Sequence, residues 1–286
     1  MSTAPTIIVL CATYVGLFLL EHALPLRRPR AALFSRIVVN AGMSATAFAA
    51  AALLVRPAAI ETLAFTQNTP FGLMQIAGLT GTAEIVASFM LMDLTFYYWH
   101  RANHRLRFLW RIHNVHHIDP DLDVTTGFRF HFVEVALSAG FRMAQLLLIG
   151  PSLVAFAVYE VAFQTFTLFH HSNVRLPITL ERALNRVLVT PRMHGIHHSR
   201  YRDETNSNFG VVFPWWDRLH RTLRLDVPQD AIVVGVPAYS APEDNRLGHC
   251  FALPLLPQRD YWQSVGGSYI ERSAGAQGAT KNQLLA

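Results

Sequence analysis

Lysine is almost missing from this sequence. Of 24 lysines and arginines in 286 residues, only Lys281 is a lysine. Charged residues of all kinds reach only 15%, against about 25% in ordinary soluble chains. Hydrophobic residues make up 51% and the mean hydropathy is +0.25. This balance points away from a soluble globular protein and toward a membrane protein. The net charge of +5 comes from arginines that flank apolar runs. It therefore reads as topology and lipid-headgroup contact, and no nucleic-acid partner is expected. Cysteine is scarce too. Cys11 lies inside an apolar run and Cys250 far away, which argues against a disulfide framework or a thiolate metal site. The start of the chain has no basic leader and no small-residue cleavage site, so Thr6–Leu20 reads as a retained first span.

Four apolar regions stand out: Thr6–Leu24, the alanine-rich Ile37–Val55, Phe71–Trp99, and Val133–Phe169 with Gly150-Pro151 near its middle. A span needs roughly 20 residues. The third region is longer than that and is expected to tilt, or to begin at the Gly78–Gly81 break. The fourth has the length of a hairpin that either spans the bilayer or only penetrates it. Arg142 in its first leg argues for protein-facing burial or shallow immersion. Arg27, Arg28, Arg30 and Arg36 follow the first span; Arg101, Arg105, Arg107, Arg111 and Arg129 follow the third; only Arg56 lies between. The positive-inside rule then puts both arginine-rich connections, and everything after His170, on the cytoplasmic face. The fold expected is an all-α integral membrane protein, about four apolar helical regions carrying a cytoplasmic, helical, histidine-rich cap. Residues 1–84 would be N-terminal transmembrane helices, 85–225 a catalytic domain that includes the hairpin 133–169, and 226–286 a C-terminal extension. Gly266–Ala286, rich in Gly, Ser, Ala and Gln, is predicted to be disordered. Within the cap, Leu180–Val189 and Arg192–His198 read as helices with Pro191 at a helix start. Asn206–Gly210 reads as a turn, and Val211–Trp216 as a short strand or loop.

Eleven of the fourteen histidines lie between positions 100 and 198. They form three boxes: His100 and His104; His113, His116 and His117; His194, His197 and His198. Residues three or four apart share a helix face, so each box presents its imidazoles together. Eight imidazoles exceed what one ion takes, since a tetrahedral site uses four, and two metals are the natural reading of that count. His170-His171 ends the fourth apolar region and His131 opens it; His171 is favoured as a ligand, and His131 stands open. Asp93, two turns before His100, and Glu134, one turn from His131, could hold the other ring nitrogen of a ligand histidine. His22, His220 and His249 read as ordinary histidines. Phe96-Tyr97-Tyr98-Trp99 reads as an interfacial aromatic belt, and the arginines around the boxes as topogenic charges.

Asp93…Tyr97-Tyr98-Trp99-His100-Arg101…His104, then Leu109-Trp110…His113…His116-His117, resembles the fatty acid hydroxylase/sterol desaturase superfamily. So do Thr126…Arg129-Phe130-His131…Glu134, Phe169…His171-Ser172-Asn173, and Thr190-Pro191…His194…His197-His198-Ser199. Asn208-Phe209-Gly210 and Trp216-Asp217-Arg218-Leu219 are similar to the family's closing elements, with Phe209 in place of tyrosine and His220-Arg221-Thr222 in place of Phe-Gly-Thr. The resemblance covers roughly residues 85–225. It implies a non-haem oxygenase with two iron ions that hydroxylates or desaturates a lipid such as a sterol or fatty acyl chain. Its ligands would be His100, His104, His113, His116, His117, His171, His194, His197 and His198, with His131 a further candidate. The sequence has no glycine-rich dinucleotide fingerprint and no CxxCH haem motif, so the electrons must come from a separate donor protein. Two other readings stay open. A zinc-dependent membrane hydrolase would need a general base beside its ligands, and no box contains a carboxylate. A metal transporter would place ionisable groups at mid-membrane.

Overall fold

The computed structural model describes residues 4–272. In order the chain forms α1 (Ala4–Ala23), α2 (Leu33–Ala50), a π turn (Ala51–Val55), α3 (Arg56–Gln67), α4 (Leu73–Ile76), α5 (Gly81–Arg105) and α6 (Arg107–His117). There follow α7 (Phe132–Ile149), α8 (Leu153–His171), α9 (Ile178–Leu184), α10 (Pro191–His197), α11 (Arg202–Thr205), α12 (Trp215–Leu219) and α13 (Leu247–Ala252). Among the described residues there are no strands, only isolated bridges. Val211–Trp216 is accordingly a loop until Trp215 opens α12, and Pro191 is the first residue of α10. Among the described residues four stretches are long and apolar enough to cross a membrane: Pro5–Ala23, Leu33–Gln67, Phe132–Ile149 and Leu153–His171. The chain is an all-α integral membrane protein.

The second apolar region is a longer rod than expected, because α2 continues through the π turn into α3. Pro57 has no N–H and its ring crowds the carbonyl four residues back. The π turn directly before it loosens the ladder there, so the helix passes the proline instead of stopping. The third region divides. Gly78 and Gly81 adopt φ +61° and +60°, and the long helix starts only at Gly81. That helix, α5, carries Glu84 and Asp93 and packs against α6, α7 and α8. The aromatic run on α5 is divided: Tyr98 is exposed, whereas its neighbours pack inward. Tyr97 is fully buried, stacks on His220 at 4.8 Å and is 2.9 Å from the Thr222 hydroxyl, while Trp99 stacks on Phe141 at 4.9 Å.

α7 and α8 form the expected hairpin, and its apex is stapled. Gly150, at φ +67°, ends α7 with Pro151 behind it, the usual sequence of a helix stop. A Cβ on Gly150 would fall 2.0 Å from the Gln75 side chain. Gln75 Nε2 instead donates to the Gly150 carbonyl at 3.0 Å, and Gln67 Nε2 to the Pro151 carbonyl at 3.1 Å. Glu84 accepts from the Ser152 N–H and hydroxyl at 2.8 and 2.7 Å, while Ser152 Oγ caps α8. Arg142 is protein-facing: it pairs with Glu160 at 2.7 Å and donates to Gln145 at 2.6 Å.

At the opposite end α1, α5 and α8 finish and α2 and α7 begin. A buried polar network locks this end. Arg36 donates to Asp119 at 2.7 and 3.0 Å and to Asp123; Asn40 Nδ2 donates to Asp119 at 2.9 Å; Arg129 donates to Asn40 Oδ1 at 2.7 Å. Burial by itself would raise the Asp119 carboxyl, but the Arg36 and Arg129 guanidinium groups overcome that and hold it at about 2. Arg36 and Arg129 are thus structural ions and not topogenic surface charges. Residues 236–253 cover the outside of this end, packing Val236, Tyr239, Cys250 and Leu253 onto Val39, Met43, Trp110 and Val115. Within the stretch expected to be disordered, Tyr269 bridges to Gln263 and Arg272 forks onto Glu204 at 2.5 and 2.8 Å. The rest of that stretch, 273–286, lies outside the described residues.

Candidate metal centre

All three boxes meet at the locked end. Their histidines sort into two groups, each with donor atoms within 4.8 Å of one another: His100, His104, His113, His117 and His197 in one, His116, His171, His194 and His198 in the other. The sorting follows from helix geometry. At 100° per residue, positions i and i+4 differ by only about 40°, whereas i+3 lies about 60° to the other side. The i,i+4 pair His113/His117 therefore serves the first group and leaves His116 to the second. Box three is the mirror case: His194/His198 serve the second group and His197 the first. Each short helix thus belongs to both groups.

Five of the nine rings are oriented by a hydrogen bond from the outer nitrogen. His100 Nδ1 donates to the Phe209 carbonyl at 2.9 Å, His197 Nδ1 to the Ser207 carbonyl at 2.7 Å, and His113 Nδ1 to Glu134 Oε1 at 2.9 Å. His171 Nδ1 donates to the Thr167 carbonyl at 2.7 Å and His116 Nδ1 to the Arg129 carbonyl at 3.3 Å. A ring that donates from Nδ1 while neutral keeps a lone pair on Nε2. These lone pairs point inward. The Nε2 atoms of His113, His117 and His197 are buried and have no hydrogen-bond partner among the described residues. In the second group Nε2 of His171 lies 3.1 Å from Nε2 of both His116 and His194, and Nε2 of His198 lies 3.1 Å from that of His194. Burial, and then the neighbouring imidazoles, push His116, His117, His194, His197 and His198 well below the ordinary histidine value. Converging neutral imidazoles with lone pairs face to face are what a divalent transition metal requires. The donor set fits such ions in both groups.

The remaining sequence candidates are placed as follows. His131 is in neither group: its Nδ1 accepts from the Val133 N–H at 3.2 Å as the cap of α7, and its Nε2 donates to the Phe251 carbonyl at 3.2 Å. Both nitrogens are committed. His170 donates from Nδ1 to the Val211 carbonyl at 3.1 Å, its ring 4.1 Å from that of His194. Glu134 holds His113. Asp93 touches no histidine; it accepts from the N–H groups of Val212 and Phe213 at 3.3 and 3.2 Å and from Trp216 Nε1 at 2.8 Å. Its role is to fasten the 211–216 loop along α5.

Sequence reasoning did not single out Asp217. This buried carboxylate accepts from the Phe209 and Gly210 N–H groups at 2.9 and 2.7 Å and from the Thr222 hydroxyl at 2.6 Å. It thereby sets the turn whose two carbonyls, at Ser207 and Phe209, aim His197 and His100. Between them Asn208 takes φ +57°, a conformation asparagine tolerates, and its amide group bonds the Met193 and Arg224 carbonyls, both at 2.8 Å. Asp217→Asn puts an amide where two N–H groups need acceptors. It is expected to weaken metal binding by roughly 10–100-fold, as loss of an outer partner of a ligand does. Competition with a chromogenic chelator measures this; unaltered affinity would show that the turn holds without Asp217.

Residues 85–222 match the family model described as "Fatty acid hydroxylase". The chain is 30% identical over 136 residues to an ornithine lipid hydroxylase of Rhizobium tropici, a match covering 48% of this chain and 40% of that protein. It is 28% identical over 153 residues to human alkylglycerol monooxygenase (52% of this chain, 32% of the relative). It is 27% identical over 145 residues to human cholesterol 25-hydroxylase (49% and 51%). The chain thus spans about half the length, or less, of these curated relatives. No solved structure matches it. Residues 85–222, which hold all nine grouped histidines, are the part of the chain that is similar to the fatty acid hydroxylase family.

Proposed function

We propose that this chain is a membrane-bound, non-haem di-iron oxygenase that hydroxylates or desaturates a lipid. The observation that carries the reading is the pair of adjoining imidazole groups, five and four, at the end of a bundle of apolar helices. Iron held by these nine rings would supply the reduction of O₂ and the removal of hydrogen from an unactivated C–H bond. The chain's own residues bind and orient. The Ser207 and Phe209 carbonyls, Glu134 and the Thr167 carbonyl fix ring tautomers. Phe209, Phe130 and Trp110 pack against the ligand rings, with Phe130 stacked on His116 at 4.5 Å, and keep water away. Neither group contains a carboxylate, and Glu134, the carboxylate bonded to a grouped ring, is engaged by His113 Nδ1 at 2.9 Å, which supports a ligand-holding role over that of a hydrolase's general base. The relatives act, by their names, on ornithine lipid, alkylglycerol and cholesterol, which supports a lipid substrate without choosing one. A separate protein supplies the electrons.

The test is metal analysis of the purified full chain together with lipid profiling of cells with and without it. About two irons per chain are expected, with a lipid that gains one oxygen or loses two hydrogens. One zinc per chain, no iron after growth in iron-replete medium, and no altered lipid would overturn the proposal.

We further propose that the histidine end faces the cytoplasm. The exposed Arg30, Arg105, Arg107 and Arg175 support this through the positive-inside rule; the buried Arg36 and Arg129 do not count toward it. In a bacterial inner membrane, a C-terminal green fluorescent protein fusion should fluoresce and an alkaline phosphatase fusion should be inactive. The reverse pattern would refute the orientation.

A further inference from the structure

Away from the histidine groups, a cleft of about 1190 Å³ opens at the same end of the molecule. Its depth is set by three residues that line it. Leu26 lies three residues beyond α1, Arg175 four beyond α8, and Arg105 is the last residue of α5. α1 and α8 are long and apolar enough to cross a membrane, so Leu26 and Arg175 lie just beyond two such helices and put the cleft near the level of lipid headgroups. Seven arginines and four carboxylates line it. Some of this charge is internally matched: Arg224 pairs with Asp226 at 3.2 Å, and Arg192 lies 3.8 Å from Glu181. Arg105, Arg175 and Arg221 are exposed and pair with no carboxylate among the described residues.

Arg221 is the telling member. The Arg221 N–H reaches the Arg218 carbonyl at 3.3 Å and the Thr222 N–H the Asp217 carbonyl at 2.8 Å. This is the cap that closes a helix with a left-handed residue, here Arg221 at φ +56°. Glycine fills such a position without strain, and an arginine there is strained. Strain retained at a cleft points to a use for the side chain. Arginine is also the residue whose planar fork matches phosphate oxygens.

We propose that this cleft binds a phosphate-bearing anion, with Arg105, Arg175 and Arg221 as the groups that take its charge. The proposal does not rest on oxygen chemistry at the histidine groups. The test uses the full chain in maltoside micelles, which contain no phosphate, and titrates two probes, dihexanoyl phosphatidic acid and inorganic phosphate. The variants are Arg175→Gln and Arg221→Gly; the second also relieves the strained backbone. Each is expected to weaken binding by about tenfold, the worth of one charge-assisted hydrogen bond, and the pair by more, with metal content retained and the thermal midpoint not lowered. Binding of the lipid probe alone would identify a headgroup site; equal binding of both probes would identify a free anion. Either supports the proposal. Unchanged affinity in the double variant overturns it. So does a double variant that keeps both phosphate probes but loses binding to an acidic electron-donor protein, since the cleft would then be a protein-docking face.

Discussion

Replacing His117 by alanine should abolish lipid oxidation and remove metal from the first histidine group, while the same change at His131 should leave metal content unaltered. The contrast is useful because sequence alone offers both residues. His117 places Nε2 in a buried position with no hydrogen-bond partner among the described residues, inside a group of five donors. His131 has each nitrogen occupied by backbone, Nδ1 by the Val133 N–H and Nε2 by the distant Phe251 carbonyl. Its replacement should cost the cap of α7 and the bond to Phe251, about 1 kcal/mol each. Iron per chain, counted on both purified variants, decides the matter. Full metal occupancy in His117→Ala would remove that residue from the ligand set, and a loss of metal in His131→Ala would put His131 back into it.

The second large effect is on stability. Arg36→Met should cost about 3–5 kcal/mol, because it strands the Asp119 and Asp123 carboxylates in a buried site. Arg36 and Asp119 are respectively 2% and 0% exposed, so solvent cannot take over the charge. Unfolding of the full chain by titrated SDS in mixed micelles measures the loss. A cost below about 1 kcal/mol, typical of a solvent-exposed pair, would mean that water reaches this network. Asp119 stands two residues after His117 and joins α2 to the end of α6. The variant should therefore also loosen metal binding, which links the membrane rod to the chemistry of the cap.

Much of this was legible in the sequence. The helical class follows from composition and from the length of the apolar runs. The meeting of the boxes follows from their spacing and from the hairpin that returns the chain to the same end. The division into two groups was less legible, since a shared helix face does not say which neighbour takes the i+3 ring. The two-turn spacing of Asp93 from His100 says nothing about the 211–216 loop, whose N–H groups take up the Asp93 carboxylate. Arg36 and Arg129 look like topogenic charges until their aspartates, 80 to 90 residues away or just upstream, are placed beside them. His131 fits the ligand pattern in sequence and is diverted by a local cap. Each miss is a case where a partner distant in the chain, or a backbone group invisible in the sequence, decides what a side chain does.

The split membership of α6 and α10 constrains how these two short helices can vary. Turning α6 about its axis to bring His117 closer to its companions carries His116 away from His171. Turning it back does the opposite. α10 is held the same way by His194 and His197. A torque in either direction is resisted from one side or the other, so rotational freedom is removed without any bulky side chain wedging the helix. Substitutions on the outer faces of these helices that would merely rotate a helix with one group of ligands must here work against two opposed sets of imidazoles at once.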